Sequence, residues 1–317
     1  MNSCARSVGR FMVGVLTVGL LAACGAGSPE PPGSPEPLAA AEPLAATDPL
    51  AARPTTSPTE PTPVPPPPPS TVPSPLVPSS PAVTSAWVVG ASPLPLRSDG
   101  FGEVLSTPEV LRDRRLPTAD LLSAPPDGRF ASTVSVVNPA VRDRMGESWS
   151  AACPVALTDL RYLTVSFRGF DGGAHTGELV VAASVAQDVV QVFRSLYAAG
   201  FPIEEMRLPT TADLRAAPTG DGNNTAAYVC RAARGQTKWS QHAYGTAVDI
   251  NPFHNPLVKR DLVVPELASA YAQRSAMRPG MHAAGGPAVR AFEAIGWTWG
   301  GTWRSSKDWM HFSLTGD

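Results

Sequence analysis

Two short fragments near the C-terminus carry side chains of the kind that hold a catalytic metal ion. The first contains His242 and Asp249, and the second ends in His311, with a further carboxylate, Asp308, three residues before it. Two imidazoles and one carboxylate are three nitrogen and oxygen ligands, which leave one position of a tetrahedral zinc open for chemistry. A nearby carboxylate that does not bind the metal can take the proton of an attacking water. The pattern therefore predicts a metallohydrolase.

The residues around the first pair predict how it is positioned. Gly245 allows the backbone to turn tightly after His242. The run 247–250 predicts a short buried strand on which Ala247 and Asp249 share one face. Because a lone carboxylate is costly to bury on so apolar a strand, Asp249 needs a partner. That partner is either a metal ion or His242 alone, in a hydrogen-bonded pair without metal.

The second fragment predicts another strand. Trp309, His311 and Ser313 fall on one face, and the apolar residues between them fall on the other. Asp308 stands where this strand begins, so it is either a proton carrier or a turn-forming residue. The preceding run 297–303 holds three tryptophans, of which we expect two in the core and one at the site.

The motif Ser-x-His-x-x-Gly-x-Ala-x-Asp, followed at a distance by Asp-x-x-His, resembles the M15 zinc peptidases. These are D-alanyl-D-alanine carboxypeptidases and dipeptidases, together with the related L-alanyl-D-glutamate endopeptidases. The resemblance covers the chain from about Cys153 onward. It implies that His242, Asp249 and His311 bind Zn²⁺ and that Asp308 is the general base.

The same resemblance implies a set of residues on the substrate side. An arginine upstream of the first histidine stabilises the anionic intermediate or anchors the substrate. Arg231 is the best positional match for it, and Arg207 is the competitor. We assign Asn224, Ser240 and Tyr244 to substrate binding.

The activity that the resemblance implies is hydrolysis of the peptide stems of peptidoglycan. A D-alanyl-D-alanine carboxypeptidase is the leading hypothesis, and an L-alanyl-D-glutamate endopeptidase remains open. The alternative from another class is a noncatalytic cell-wall-binding lipoprotein that has kept the fold. We expect a monomer. We also expect no binding to nucleic acid, because the formal net charge is -2 and the chain has no basic run.

The N-terminus predicts export. Two arginines precede an apolar run that is too short for an ordinary membrane span, and the run ends in Leu-Ala-Ala-Cys24. This ending resembles a bacterial lipobox, which implies that residues 1–23 are a lipoprotein signal peptide and that Cys24 is lipidated. The alternative is an ordinary secretory signal cleaved near Ala23. The lipobox predicts a lipid-anchored protein on the outer face of a bacterial membrane, acting in the cell wall.

Composition divides the remainder of the chain. Of the 36 prolines, 20 precede Trp87, so residues 24–86 predict a disordered linker rich in proline and alanine. We interpret residues 87–150 as an extended arm and leading segment, and residues 151–317 as the zinc peptidase catalytic domain. Cys153 and Cys230 are the cysteines outside the signal peptide and lipobox, and in an oxidising compartment such a pair predicts a disulfide.

The catalytic domain shows strands and helices without regular alternation, which predicts the α+β class. Residues 163–170 and 178–183 predict a hairpin, and apolar residues at helical spacing predict helices from Val185 to Gly200 and around Phe292. The resemblance implies a small antiparallel sheet flanked by helices, as in the hedgehog and D-Ala-D-Ala peptidase fold. Among the other histidines, we expect His282 at the surface.

Overall fold

The structure, a computed structural model, describes residues 87–233 and 237–316. The predicted signal peptide (1–23), the lipidation site Cys24 and the predicted linker (24–86) lie outside the described residues and stay predictions. Within the described ranges, none of the helices combines the length and the apolar character needed to cross a bilayer.

The described residues form a mixture of short helices and small sheets, which agrees with the predicted α+β class. The helices are α1 (Pro139–Met145), α2 (Ala186–Ala198), α3 (Thr211–Arg215) and α4 (Pro287–Glu293). The strands are β1 (Ser132–Val136), β2 (Leu160–Arg168), β3 (Ala174–Ala182), β4 (Glu205–Met206), β5 (Asn224–Thr225), β6 (Ala247–Asp249), β7 (Leu257–Lys259), β8 (Leu262–Val264), β9 (Thr298–Trp299), β10 (Lys307–Asp308) and β11 (His311–Ser313). They pair in the orders β1-β2-β3, β10-β7-β8, β6-β11-β9 and β4-β5.

The longest strands, β2 and β3, form the predicted antiparallel hairpin. Helix α2 packs on this hairpin because Val189, Phe193 and Leu196 recur along one of its faces and are fully buried. Strand β1 pairs with β2 on the side away from β3 and makes the hairpin a three-stranded sheet. This strand was not predicted from the sequence. The hairpin and α2 together form the platform on which the second sheet rests.

The second sheet, β6-β11-β9, shares one hydrophobic core with the hairpin and α2. Val248 and Phe312, on neighbouring strands, point into this core, and the Phe312 ring stacks on Phe292 of α4 with centroids 4.1 Å apart. Because alternate residues of a strand point to opposite faces, burial of these side chains turns their neighbours Asp249 and His311 to the other face. The core therefore fixes the direction of the candidate ligands.

Residues 87–131, the first part of the predicted arm and leading segment (87–150), pack on the rest of the described chain. The guanidinium of Arg114 is fully buried and bonds both carboxylate oxygens of Glu204, at 2.8 and 2.6 Å, while its Nη1 donates to the carbonyl of Asp221 at 2.7 Å. The indole of Trp87 donates to the Asp221 carboxylate at 2.9 Å. A paired guanidinium of this kind holds the arm in place because unpairing it would leave a buried charge.

Two local features complete the frame. Cys153 and Cys230 form the predicted disulfide. The polar segment 210–225 contains the short helix α3, which was not predicted from the sequence. The signal was Thr210 followed three residues later by Asp213, whose side chains each accept a hydrogen bond from the other residue's backbone N–H.

Candidate active site

His242 lies in a 3-10 turn that immediately precedes strand β6. The turn, Gln241–Tyr244, begins after Ser240, whose hydroxyl accepts a hydrogen bond from the His242 backbone N–H at 3.4 Å. It ends at Gly245, which has a left-handed φ of 69° and lies so close to strand β3 that a Cβ would come within 2.5 Å of the Ala182 nitrogen. Both the left-handed backbone and the close approach to β3 therefore require glycine at position 245, as expected from the sequence.

Asp249 and His311 are direct partners across the antiparallel pair β6–β11. The Nδ1 atom of His311 is 3.0 Å from Oδ1 of Asp249, and Nε2 of His242 is 3.2 Å from Oδ2 of the same carboxylate. Asp249 thus stands between the two imidazoles. The three predicted ligands are brought together, with one donor atom of each lying within 4.8 Å of the others.

The protonation of His242 is set by a backbone partner. Its Nδ1 lies 2.5 Å from the carbonyl oxygen of Ala227, which can only accept a hydrogen bond, so Nδ1 carries the proton. The lone pair of Nε2 is consequently directed at the Asp249 side. Metal-binding histidines are commonly oriented in this way, with the second ring nitrogen donating to a backbone carbonyl.

The Asp249 carboxylate is ionised despite its environment. Burial favours the neutral acid, but the electrostatic attraction of the two neighbouring imidazoles, His242 first and then His311, outweighs it and holds the pKa of Asp249 well below its usual range. An anionic oxygen between two imidazole nitrogens is the donor set that binds Zn²⁺.

The donor geometry fits a tetrahedral zinc ion. Two ligands about 2.1 Å from one such ion lie roughly 3.4 Å apart. Each histidine has one nitrogen at close to that separation from an Asp249 oxygen, 3.2 Å from His242 Nε2 to Oδ2 and 3.0 Å from His311 Nδ1 to Oδ1, and one donor atom of each of the three residues lies within 4.8 Å of the others. Two buried atoms, Nε2 of the triad member His311 and Oδ1 of Asp308 beside the triad, also have no hydrogen-bond partner within the described part of the chain. Such orphaned atoms are expected where an ion or water completes a site.

Asp308 belongs to a different sheet from the triad. It pairs with Leu257 in β10–β7, and its backbone approaches Gly300 so closely that a Cβ on Gly300 would come within 2.6 Å of the Asp308 carbonyl oxygen. Burial and then the negative charge of Asp249 raise the pKa of Asp308 to about 7, against the opposing charges of His311 and Arg231. Asp308 is therefore near enough to the triad to interact electrostatically with it, while it remains outside the group of three candidate ligands.

The two candidate arginines have different environments. Arg231 is exposed, directly follows the disulfide cysteine Cys230, and lies close enough to Asp308 for its charge to lower the pKa of that carboxyl. Arg207 is held by carboxylates of Glu205 at 2.5 Å and Asp213 at 2.7 Å. The charge of Arg207 is thus balanced by its own neighbours, whereas the field of Arg231 reaches the site.

The residues assigned to substrate binding have diverse positions. Ser240 and Tyr244 flank His242 in the same turn, and the Tyr244 side chain is exposed. Asn224 instead bonds both backbone groups of Arg207, accepting from its N–H and donating to its carbonyl, each at 2.9 Å. The Asn224 amide therefore ties β5 to the end of β4. The substrate role of all three stays a prediction.

The tryptophans of the run 297–303 and His282 lie in or beside the site. Of the three tryptophans, Trp297 and Trp299 are buried in the core, and the ring of Trp303 lies against the imidazole of His311 with centroids 5.5 Å apart. The expectation that His282 lies at the surface is wrong, because it is 2% exposed and stacks on Phe201. An isolated histidine in a segment rich in glycine and proline gives no sequence signal of such burial.

Comparison with known proteins agrees with this geometry. Residues 234–314 match the family model described as D-alanyl-D-alanine carboxypeptidase, of the M15 peptidases. Neither the curated proteins nor the solved structures contain a significant match to the chain. The matched segment includes all three candidate ligands and Asp308. Over residues 234–314, the chain is therefore similar to the M15 peptidases.

Proposed function

We propose that this protein is a zinc-dependent peptidase that removes the terminal D-alanine from the peptide stems of peptidoglycan. The observation that carries the proposal is the group His242, Asp249 and His311, with the ionisable Asp308 beside it and outside it. Three protein ligands and a separate carboxylate are the parts that a catalytic zinc site needs, whereas a structural zinc site has four protein ligands.

The chemistry that zinc supplies when bound is Lewis acidity towards the scissile carbonyl and the attacking water. Asp308 takes a proton from that water and passes it to the leaving amine. Burial raises the pKa of Asp308 and so makes it a stronger base than an exposed carboxylate. Burial of its Oδ1 keeps competing solvent away from the carboxylate.

Arg231 supplies positive charge on the substrate side. Its guanidinium is exposed and therefore accessible to an anionic group, either the developing oxyanion or the terminal carboxylate of the substrate. The Cys153–Cys230 disulfide adjoins Arg231 and restrains the loop that presents it. A carboxypeptidase needs such a cation because its substrate ends in a free carboxylate.

The N-terminal sequence supports a proposal for where in the cell this activity takes place. We propose that Cys24 carries a lipid that anchors the protein to the outer face of a bacterial membrane. The proline-rich stretch 24–86 then separates the anchor from the catalytic domain. A protein anchored in this way would act on peptidoglycan in the cell wall.

The test is hydrolysis of defined muropeptides by the zinc-loaded protein, with the products identified by mass spectrometry. Loss of a single D-alanine from a pentapeptide stem is the expected result. Cleavage between L-alanine and D-glutamate would replace the carboxypeptidase by an endopeptidase. Binding of muropeptide without cleavage, by folded protein that contains zinc, would overturn the catalytic proposal in favour of a wall-binding lipoprotein.

A further inference from the structure

The backbone carbonyl of Trp309 lies between the general base and a metal ligand in the chain, and it accepts two side-chain hydrogen bonds. The indole Nε1 of Trp299 donates to it at 2.8 Å, and Nδ1 of His282 lies 2.8 Å from the same oxygen. A carbonyl oxygen has two lone pairs, so these donors saturate it. The peptide that joins Asp308 to His311 is therefore fixed by two buried rings.

Its neighbours in the segment 308–311 are also held, but by backbone contacts. Asp308 pairs with Leu257 in β10–β7, and the carbonyl of Met310 accepts from the N–H of Ile250 at 3.0 Å. His311 pairs with Asp249. Trp309 lies between strand β10 and strand β11. Within this segment, its carbonyl is held by side-chain hydrogen bonds, whereas its neighbours are held by backbone pairing.

His282 is itself tied to the strand that carries Asp249. Its backbone N–H donates to Oδ1 of Asn255 at 2.6 Å. The amide nitrogen of Asn255 donates to the carbonyls of Ile250 and Asn251, both at 3.2 Å. His282 consequently links the end of β6 to the Trp309 carbonyl. One imidazole thereby connects the backbone around Asp249 with the backbone between Asp308 and His311.

The environment of His282 keeps it as a neutral donor. The ring stacks on Phe201 with centroids 5.5 Å apart and packs edge-on against Phe312 at 5.1 Å. Its Nε2 is buried with no partner within the described residues, so the proton belongs on Nδ1, where the Trp309 carbonyl accepts it. Burial lowers the pKa of His282 to about 3, and this keeps the ring uncharged at neutral pH.

We infer that His282 is a positioning residue of the active site: it fixes the Asp308–His311 segment through the Trp309 carbonyl and registers it against the Asp249 strand. The expected effect of His282 on catalysis rests on the proposed function. Its expected effect on zinc binding does not, because that effect concerns only the positions of the candidate ligands. His282 acts on His311 and Asp308 through the backbone rather than by direct contact with the reacting atoms.

The test compares two substitutions of His282, of which one removes the hydrogen-bond donor and keeps the ring, and the other keeps a donor and removes the ring. His282→Phe keeps an aromatic ring between Phe201 and Phe312 but removes the donor. Trp309 retains its bond from Trp299, so no carbonyl is left unpaired, and the orphaned Nε2 disappears. His282→Asn keeps a donor at the position of Nδ1 but loses the ring.

We expect the zinc dissociation constant of the His282→Phe protein to rise about tenfold, and its kcat to fall by about 10- to 100-fold, with little change in KM or in Tm. We expect the His282→Asn protein to unfold at a lower temperature while its zinc affinity stays within about threefold of wild type. The visible spectrum of the cobalt-substituted protein reports ligand geometry independently of activity and should change in the Phe variant alone.

His175→Phe is the matched control. His175 is also buried and stacked on a phenylalanine, Phe167, but its nitrogens bond to Asp120 and Asp171, outside the site. We expect this variant to bind zinc as the wild type does.

The inference would be overturned if zinc affinity followed the packing, being lost in His282→Asn and kept in His282→Phe. It would equally be overturned if His282→Phe bound zinc with wild-type affinity and spectrum. If the wild-type protein binds zinc but cleaves no muropeptide, the proposed function fails, while the zinc titrations still decide the role of His282.

Discussion

Asp249 and His311 face each other across a single antiparallel register position, with His311 Nδ1 3.0 Å from Asp249 Oδ1. Two of the three candidate ligands are thus placed by one strand pairing, and the third, His242, lies in the turn that leads into the same strand. A shift of β11 by one residue would turn His311 into the core and Phe312 outward. The core packing of Phe312 therefore maintains the metal site as well as the fold.

Asp249→Asn should remove zinc binding without disrupting the strand pair. Asparagine has nearly the same shape, but it has no charge to hold between the two imidazoles. For wild-type protein, zinc at 100 times its dissociation constant should add about 2.7 kcal/mol to the free energy of unfolding. Thermal unfolding with and without zinc measures this gain, which should vanish in the variant. Asp261→Asn, which alters an exposed ion pair with Arg97, is the control and should retain the gain.

Asp308→Asn should separate metal binding from catalysis. Asp308 lies outside the group of candidate ligands, so the variant should bind zinc as wild type does. Loss of a general base typically costs about 10²- to 10⁴-fold in rate, and we expect a decrease in that range. Metal analysis of the purified variant and product release from a pentapeptide muropeptide give the two readouts. A variant that retains full activity would show that another group carries the proton.

Arg231→Ala and Arg207→Ala should have different consequences. Loss of the Arg231 guanidinium should lower kcat/KM by about 10²-fold or more, because a charge that faces the substrate is removed. Loss of Arg207 leaves the carboxylates of Glu205 and Asp213 without their cation, so it should lower Tm and leave kcat/KM nearly unchanged. Kinetics and thermal unfolding of both variants compare the two arginines directly. The reverse pattern would assign the substrate role to Arg207.

Stability should fall in mild acid because of buried histidines. Burial lowers the pKa of both His254 and His282 from 6.5 to about 3. Between these values the unfolded chain binds more protons than the folded one, so the free energy of unfolding decreases as the pH falls below 6.5. From pH 7 to pH 5 each histidine should contribute a loss on the order of 2 kcal/mol.

Urea denaturation of wild type and His282→Phe at both pH values isolates one of these contributions. The raised pKa of Asp308 acts in the opposite sense, since its stabilising effect is lost as the pH rises towards 7, so the comparison concerns the difference between the two proteins. The variant should therefore lose less stability than wild type. Equal losses in the two proteins would contradict a neutral, buried His282.

Sequence reasoning succeeded where chemistry and spacing coincide. The alternation around Asp249 and His311 predicted their strands and common face, because burial of the intervening apolar residues leaves one orientation. The tight turn at Gly245 and the Cys153–Cys230 disulfide were also predicted from the sequence. The burial of His282 was not, because its position depends on Asn255 and on aromatic neighbours that are distant in sequence. Helix α3 was missed because it is five residues long and its signal is the capping pair at Thr210 and Asp213.

The most direct test of the account is a zinc titration of activity. The protein is stripped of metal with a chelator and then supplied with zinc, while D-alanine release from a pentapeptide muropeptide is measured. We expect no release without metal and recovery that saturates at one zinc per chain, with no recovery in Asp249→Asn. Hydrolysis that persists in fully metal-free protein would contradict it.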